Sequence, residues 1–584
     1  MGFMLILWLV QGAALGAAPG STAERFEAIA SAHPLATAAG MQILAQGGNA
    51  FDAAIAVSAA LGVVEPYSSG IGGGGFWLLQ PHGGEPVVLD GREVAPRAAT
   101  ADMYLDARGQ VVPRLSVDGA LAAGIPGAPA AWIHLAQHYG RLRLSQSLAP
   151  AIQLAQRGFV VDAVLARHLQ ERREALLAAG EAGTTFFDRG LPVAQGAILR
   201  QPHLARTMLR LALGGRHGFY EGPTAQALVD GVREAGGIWT LADLEDYRLK
   251  ERAALRACVM TICLLTTPPP SAGGISLVET AHILEALGPL PPPGVQRMHL
   301  VIEAWRRAYR DRALYVGDPD FVDVPVDRLA SAEYARGLAA TIEPDRATPS
   351  AELGEGLDAP SGMHTSHYVI LDREGNMVST TQTINTTFGS GLMPEGTGVL
   401  LNNEMDDFVA KPGEPNTYGL VGSSANAIAP GKRMVSSVAP TIAYIQGASH
   451  IERTLLIGTP GGSRIPSMVF LGLLGFMDGL DPQAIVSMPR YHHQYLPDHV
   501  EHERNALDEA SKQALQAMGY ALQEISPFGN MQAILFTGPW EAPQAVQAAS
   551  DPRGIGQARV RQVSGLRLPH VFLTAGAEKA AALP

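Results

Sequence analysis

The sequence predicts an α+β protein in which a helix-rich first portion meets a strand-rich second one. Three observations carry this. Apolar residues recur at spacings of three and four through much of the chain before Gly294, the mark of helices with one buried face. From His364 onward the pattern changes to alternation, the period of strands. Between them lies "DRATPSAELGEGLDAP" (Asp345–Pro360), polar, rich in Pro and Gly, and expected to be a linker or exposed loop.

The elements follow in order. "MGFMLILWLVQGAALGAAPG" has an apolar core from Phe3 to Val10 and then small residues, so residues 1–18 are expected to be a signal peptide cut near Ala14 to Ala18. No Lys or Arg precedes its apolar core, and an uncleaved membrane anchor is the alternative. "PLATAAGMQILAQGGNAFDAAIAVSAALGVVEP" reads as two helices joined at Gly47–Gly48, with Asn49 opening the second. "GFWLLQPHGGEPVVLDGREVAP" reads as two strands about a His-Gly-Gly turn. The stretch from Ala101 to Gly294 reads as mainly helical, and "MHLVIEAWRRAYRDRALYV" as a long amphipathic helix. "HTSHYVILDREGNMVSTTQTI" is a hairpin turning at Glu374–Gly375–Asn376, with further strands expected in "GVLLNNEMDD", "VAPTIAYI" and "RTLLIGTPGG". "MVFLGLLGFM" is too short and too broken by Gly to span a membrane.

With 584 residues, 47% hydrophobic and 17% charged, and with 65 Gly and 41 Pro, the composition is globular and turn-rich. This length suggests two to four domains, although single α/β units reach it. The net charge of −12 and the lack of a long basic run exclude a nucleic-acid footprint. Cys258 and Cys263, in "ACVMTICLL", sit on one strand-like apolar run. Five apart, they face opposite sides and resist bridging, so two small buried hydrophobes are expected.

Thr365, Ser366 and His367 raise a catalytic question, because neighbours on a strand point to opposite faces and rarely form a nucleophile–base pair. A threonine that begins a chain solves it differently: its own α-amine takes the proton. Such an amine has a pKa of about 7.7–8.0, suited to base work near neutrality. That requires a cut between His364 and Thr365. Taken alone, Thr365 is better read as an ordinary β-branched strand residue.

The wider constellation resembles the γ-glutamyltranspeptidase family, glutathione hydrolases of the N-terminal-nucleophile class. The resemblance runs from about Ala28 to Arg553 through "GGNAFDAAIA", "GIGGGGFWL", "DGREVAP", "PPPSAGG", "TSHYVILD", "NTTFGSG", "LNNEMDDF", "PNTYGLVG", "GTPGGSRI" and "ASDPRG", in family order. It implies a four-layer αββα sandwich and a precursor cut into a large subunit (19–364) and a small subunit (365–584). Thr365 becomes the nucleophile, with Ser366 standing where a second threonine is more usual. Thr383 supports its hydroxyl or amine, and His367 is a structural strand residue.

The resemblance also implies a substrate site. A γ-glutamyl group carries a carboxylate and an ammonium, which call for opposite charges placed apart. Arg92 grips the carboxylate, as a planar bidentate donor can. Ser436 and Ser437 complete that cradle, while Asn385, Glu404 and Asp407 surround the ammonium. Gly461 and Gly462 supply oxyanion N–H groups, and Tyr418 gates a lid in "KPGEPNTYGLVG". "GIGGGGF" is read as tight packing near the floor of the site. No cofactor or metal is required. Donors would be glutathione or other γ-glutamyl compounds, and acceptors water, amino acids or dipeptides. Two alternatives stand: a glutaryl β-lactam acylase on the same scaffold, and a processing-dead binding homologue. The leader places the protein in the periplasm or outside the cell. The tail after Arg553 lies beyond the resemblance and is expected to be disordered or to pack on the fold.

Overall fold

A computed structural model of the chain describes residues 25–178, 180–354, 365–411, 416 and 422–563. The expected leader, His364 and Tyr418 lie outside the described residues.

Two antiparallel sheets form the centre. The strands are β1 (Arg25–Ser31), β2 (Gly74–Gln80), β3 (Val87–Gly91), β4 (Lys250–Ala253), β5 (Leu255–Val259), β6 (Ile262–Thr266), β7 (Ser366–Leu371), β8 (Met377–Thr383), β9 (Thr441–Gln446), β10 (Ile451–Gly458), β11 (Gln532–Thr537), β12 (Gln544–Ser550) and β13 (Gln557–Val563). The seven-stranded sheet has the order β13-β1-β7-β8-β2-β3-β4, and the six-stranded sheet β12-β11-β10-β9-β6-β5. Both sheets take strands from before and after Thr365. The helix-rich and strand-rich portions are therefore interleaved, because neither portion supplies enough strands to cover its own apolar faces.

The period-2 alternation of the central strands assigns the layers. Ile29, Trp77, Leu79, Tyr368 and Ile370 enter a core with the helices α1 (Pro34–Ala45) and α2 (Ala50–Val64). Ala28, Ala30, Phe76, Leu78, Val369 and Leu371 enter a second core. That core continues through Ile442, Leu455 and Ile534 of the other sheet to α3 (Ala272–Ala286), α4 (Val295–Tyr315) and α5 (Ile465–Met477). The order is helix, sheet, sheet, helix: the αββα sandwich. Both faces of β7 and β8 are buried along their whole length.

The α1–α2 turn follows its sequence signals. Gly47 takes φ 92°, and Asn49 caps α2 by accepting from the amides of Phe51 and Asp52 at 3.0 and 3.1 Å. The Asp52 carboxylate returns a bond from the Asn49 amide at 3.0 Å, completing a capping box.

Three expectations are corrected. Cys258 and Cys263 form a disulfide, their Cα atoms 4.0 Å apart. The chain reverses at Met260 (φ 58°), which puts the two cysteines directly opposite each other on β5 and β6 rather than on one strand. "GVLLNNEMDD" is not a strand: Leu401 makes one isolated bridge to Gly72, and Glu404–Asp407 form a 3₁₀ turn. Asn402 diverts this segment by donating to the carbonyls of Gly72 and Gly124 at 2.8 and 2.7 Å. The expected loop before Thr365 is anchored in part, since the Ser350 amide donates to Asp498 at 2.7 Å and its hydroxyl to the Tyr495 carbonyl at 2.5 Å. The start of the tail beyond Arg553 packs on the fold, one of the two outcomes expected, as β13, which pairs along all of β1.

Candidate active site

Thr365 immediately precedes β7 and is 7% exposed. The β7–β8 register pairs Ser366 with Gln382, so Thr365 comes opposite Thr383. The Thr365 hydroxyl donates to Thr383 Oγ1 at 3.2 Å, and Thr383 Oγ1 also accepts from the Asn385 amide at 2.7 Å. Asn385 adopts φ 74°, a conformation Asn tolerates better than most residues, and its side chain donates to the Asn403 carbonyl at 2.9 Å.

Strand alternation separates the three neighbours. Ser366 faces the helix-covered side and donates to Glu65 at 2.8 Å. His367 returns to the face of Thr365, but its Nδ1 pairs with Thr381 at 2.8 Å. Complete burial pushes its imidazole down to about 3, so it is neutral, and a Cβ built at Gly458 would stand 2.2 Å from its ring. His367 is a packed strand residue, its Nδ1 engaged with Thr381 rather than with Thr365.

The sheet register also places the charged residues. Gly74 pairs with Thr383 and Gly75 with Gly91, so Thr365, Thr383, Gly74 and Arg92 form a row across four adjacent strand ends. Strand spacing puts Arg92 roughly 14 Å from Thr365 along that row. No side chain fits between them at residue 74, where a Cβ would lie 2.4 Å from the Gly91 carbonyl and 2.8 Å from Glu93. Two further close approaches make "GIGGGGF" a packing element: Cβ atoms at Gly72 and Gly73 would each lie 2.1 Å from a carbonyl, of Leu400 and Thr383.

Arg92 is the centre of a buried charge cluster. Its Nη1 lies 2.7 Å from Glu404 and 3.5 Å from Glu93, and its Nη2 bonds Asp407. Burial pushes Glu93 up to about 8, against the pull of Arg92, and raises Glu404 well above the usual carboxylate range. Burial raises Asp407 as well. Burial alone would lower the Arg92 guanidinium, but Glu404, Asp407 and Glu93 together hold it above its ordinary value. Arg92 Nε and both carboxylate oxygens of Glu93 lack a hydrogen-bond partner among the described residues, while Glu404 is held by its ion pair with Arg92. Arg92 faces three acids, with Arg312 a second cation acting on Asp407, so the cluster holds more carboxyl groups than cations.

Gly461 (φ 145°) and Gly462 (φ 57°) open the helical run that continues into α5. The first amides of a helix have no intrahelical acceptor, which suits them to a developing anion. Gly461 and Thr365 line one cavity of about 670 Å³, together with Glu65, Tyr67, His168 and Arg464. The two serines part company. Ser437 Oγ accepts from Arg312 at 3.2 Å, and Arg312 in turn feels the charge of Asp407. The Ser436 hydroxyl accepts from the Val438 amide at 3.3 Å, and its own amide donates to the Pro270 carbonyl at 3.0 Å. Among the described residues, no group of three or more His, Cys, Asp and Glu is arranged to hold a metal ion.

Sequence reading passed over Glu65, Glu93 and Arg312. Glu93 lay inside a quoted motif, and Glu65 stood at a helix end, where an acid opposes the helix dipole. Arg312 gave no signal among the other cations of α4.

A threonine heading a central strand of an αββα sandwich, with helix-N-terminal glycines beside it, defines the N-terminal-nucleophile hydrolases. Comparison with known proteins narrows this. The family model described as gamma-glutamyltranspeptidase matches residues 36–560, and the chain belongs to that family. A glutathione hydrolase proenzyme of Pseudomonas sp. (strain A14) is 39% identical over 535 residues, 90% of this chain and 92% of its own. One of Pseudomonas aeruginosa is 41% identical over 523 residues, 88% of this chain and 91% of its own. The crystal structure of a cephalosporin acylase from Bacillus halodurans matches with a TM-score of 0.80 at 28% identity, covering 95% of this chain and 99% of that one.

Proposed function

We propose that this chain is cut between His364 and Thr365, and that the freed Thr365 is the nucleophile of a γ-glutamyltransferase and glutathione hydrolase. The Thr365 α-amine takes the hydroxyl proton as Oγ1 attacks the γ-carbonyl. The N–H groups of Gly461 and Gly462 meet the oxyanion, where fixed dipoles are most effective. The proton passes to the leaving nitrogen, the amine departs, and a γ-glutamyl ester remains on Thr365. Water, an amino acid or a dipeptide then attacks the ester and restores the hydroxyl.

The row from Thr365 and Thr383 to the Arg92 cluster carries this reading. A γ-glutamyl substrate has its ammonium and carboxylate a few bonds from the reacting carbon. Its ammonium supplies the positive charge that Glu93, Glu404 and Asp407 lack, with Asn385 beside them. Its carboxylate takes Arg92, with Ser437 and Arg312 at hand. The similarity to a cephalosporin acylase supports a second reading, but a glutaryl group has no amine to answer the surplus of acids.

Denaturing electrophoresis with N-terminal sequencing tests the cut. The expected result is a small fragment beginning Thr-Ser-His-Tyr, absent from an inactive Thr365→Ala chain. A cut, active Thr365→Ala protein would refute the mechanism. Preference for a glutaryl over a γ-glutamyl anilide would favour the acylase.

We also propose export. No helix among the described residues is long and apolar enough to cross a membrane. The apolar leader suits secretion, and the Cys258–Cys263 disulfide suits an oxidising compartment.

A further inference from the structure

Glu65 stands where a carboxylate is unfavourable. It caps the C-terminus of the fifteen-residue helix α2, at the negative end of the helix dipole, and is 3% exposed. Its two oxygens accept from Ser366 Oγ at 2.8 Å and from the Tyr67 hydroxyl at 3.1 Å. Both donors are neutral, and no cation pairs with it among the described residues. His33, the cap before α1, acts on Glu65 through space but turns its Nε2 to Asp162 at 3.5 Å. On the neighbouring helix Ala163–Glu171, Arg167 and His168 both face Glu171, at 3.5 and 2.7 Å. A buried acid at a helix C-terminus without a direct ion pair breaks two local rules at once, and such breaches concentrate at functional sites.

The residue that Glu65 holds is the immediate neighbour of the nucleophile. Ser366 donates to Glu65 and accepts from Ser69 at 3.1 Å, and Gln382 of β8 donates to the same Ser69 at 3.0 Å. This chain of bonds ties the head of β7 to the end of α2. Glu65 also lines the cavity that Thr365 lines.

We propose that Glu65 is a positioning residue for Thr365, fixing the head of β7 through Ser366 and presenting its carboxylate to the α-amine created when the chain is cut. The proposal rests on the N-terminal-nucleophile reading. Before the cut, the nitrogen of Thr365 is a neutral amide and Glu65 has no directly paired cation among the described residues. After the cut that nitrogen is an amine, and its ammonium form can be the direct partner that Glu65 lacks. The negative charge then holds the proton on the amine more tightly and sets the pH at which it becomes a base. The groups facing Glu65 are Tyr67 on its own loop, Ser366 on β7, His33 before α1, and Asp162, Arg167 and His168 at the neighbouring helix. None of them follows the state of the chain at residue 365.

The test is the pH dependence of kcat/KM for a γ-glutamyl anilide. Glu65→Gln keeps an acceptor for Ser366 and removes only the charge. Its acid limb should move about one pH unit lower, as expected for losing a charge several ångströms from the amine. Ser366→Ala keeps the charge and removes the tether. It should lower kcat about tenfold without moving the limb, and Ser366→Thr should restore it. A Glu65→Gln enzyme with the wild-type limb and wild-type kcat/KM overturns the proposal. Should Glu65→Gln remain uncut, Glu65→Asp decides: maturation with Asp but not Gln supports the charge, and failure with both overturns it. N-terminal sequencing of the wild-type small fragment separates this from the underlying reading, which falls if the fragment does not begin at Thr365.

Discussion

Arg92 Nη1 lies 2.7 Å from the Glu404 carboxylate, so the cation and the acid assigned to opposite ends of a substrate are each other's partners in this structure. Under the proposed assignment, a substrate divides an existing buried ion network, exchanging Arg92–carboxylate contacts for its own. Arg92→Ala should cost about 3–5 kcal/mol of stability, because it strands three buried acids. Arg92→Lys keeps the charge but not the planar fork, and should raise KM for a γ-glutamyl anilide at least about tenfold with a smaller loss of stability. Thermal unfolding alongside initial-rate kinetics separates the two effects.

The same cluster predicts a pH trend. Glu93 is raised from 4.5 to about 8 by burial, so the folded chain binds a proton there that the unfolded chain has lost. A raised folded pKa contributes stability that is present in full below pH 4.5 and is lost as pH rises through 8. Tm should therefore fall between those limits, and Glu93→Gln should flatten the fall. An identical Tm-against-pH slope in the variant would exclude Glu93 as the source.

Thr383 accepts from Thr365 and from the Asn385 amide with one hydroxyl oxygen. Thr383→Val keeps the shape and removes the acceptor that both donors share, so kcat should fall roughly 10- to 100-fold. Thr383→Ser should retain most of the rate. Single-turnover measurement of ester formation shows whether the loss lies in the chemical step.

Gly461 sits at φ 145°, and a Cβ there would lie 2.3 Å from Cε of Met468. Gly461→Ala should rotate the peptide away from the carbonyl it serves and lower kcat on the order of 100-fold, the size of effect seen when one oxyanion donor is removed. KM should change little, as the Arg92 cluster is untouched. A variant losing affinity but not rate would move Gly461 out of that role.

The disulfide closes a short hairpin at the edge of the six-stranded sheet. Replacing Cys258 and Cys263 together by Ser should cost about 2 kcal/mol, the loop-closure value for so few residues, and leave kcat/KM unchanged. Denaturant unfolding and steady-state kinetics of one preparation check both statements.

Local pattern determined much of this protein. The α1–α2 pair was legible because helix period, Gly47 and Asn49 agree at one turn. The β7–β8 hairpin was legible because alternation and its Glu-Gly-Asn turn agree. The motif order around Thr365 determined the family, since each motif is short and local.

Tertiary structure decided what depends on register and approach. Cys258 and Cys263 are five residues apart on paper but face each other across a reversal at Met260, which no period reports. Asn402 turns a strand-like run into the loop that carries Glu404 and Asp407, through bonds to Gly72 and Gly124 far away in the chain. Glu65 and Thr365 are 300 residues apart in sequence and share one cavity only because α2 ends against the head of β7. Spacing along a chain fixes which face a side chain takes. Which partner waits on that face is set by the packing of sheets whose strands come from both sides of the cut.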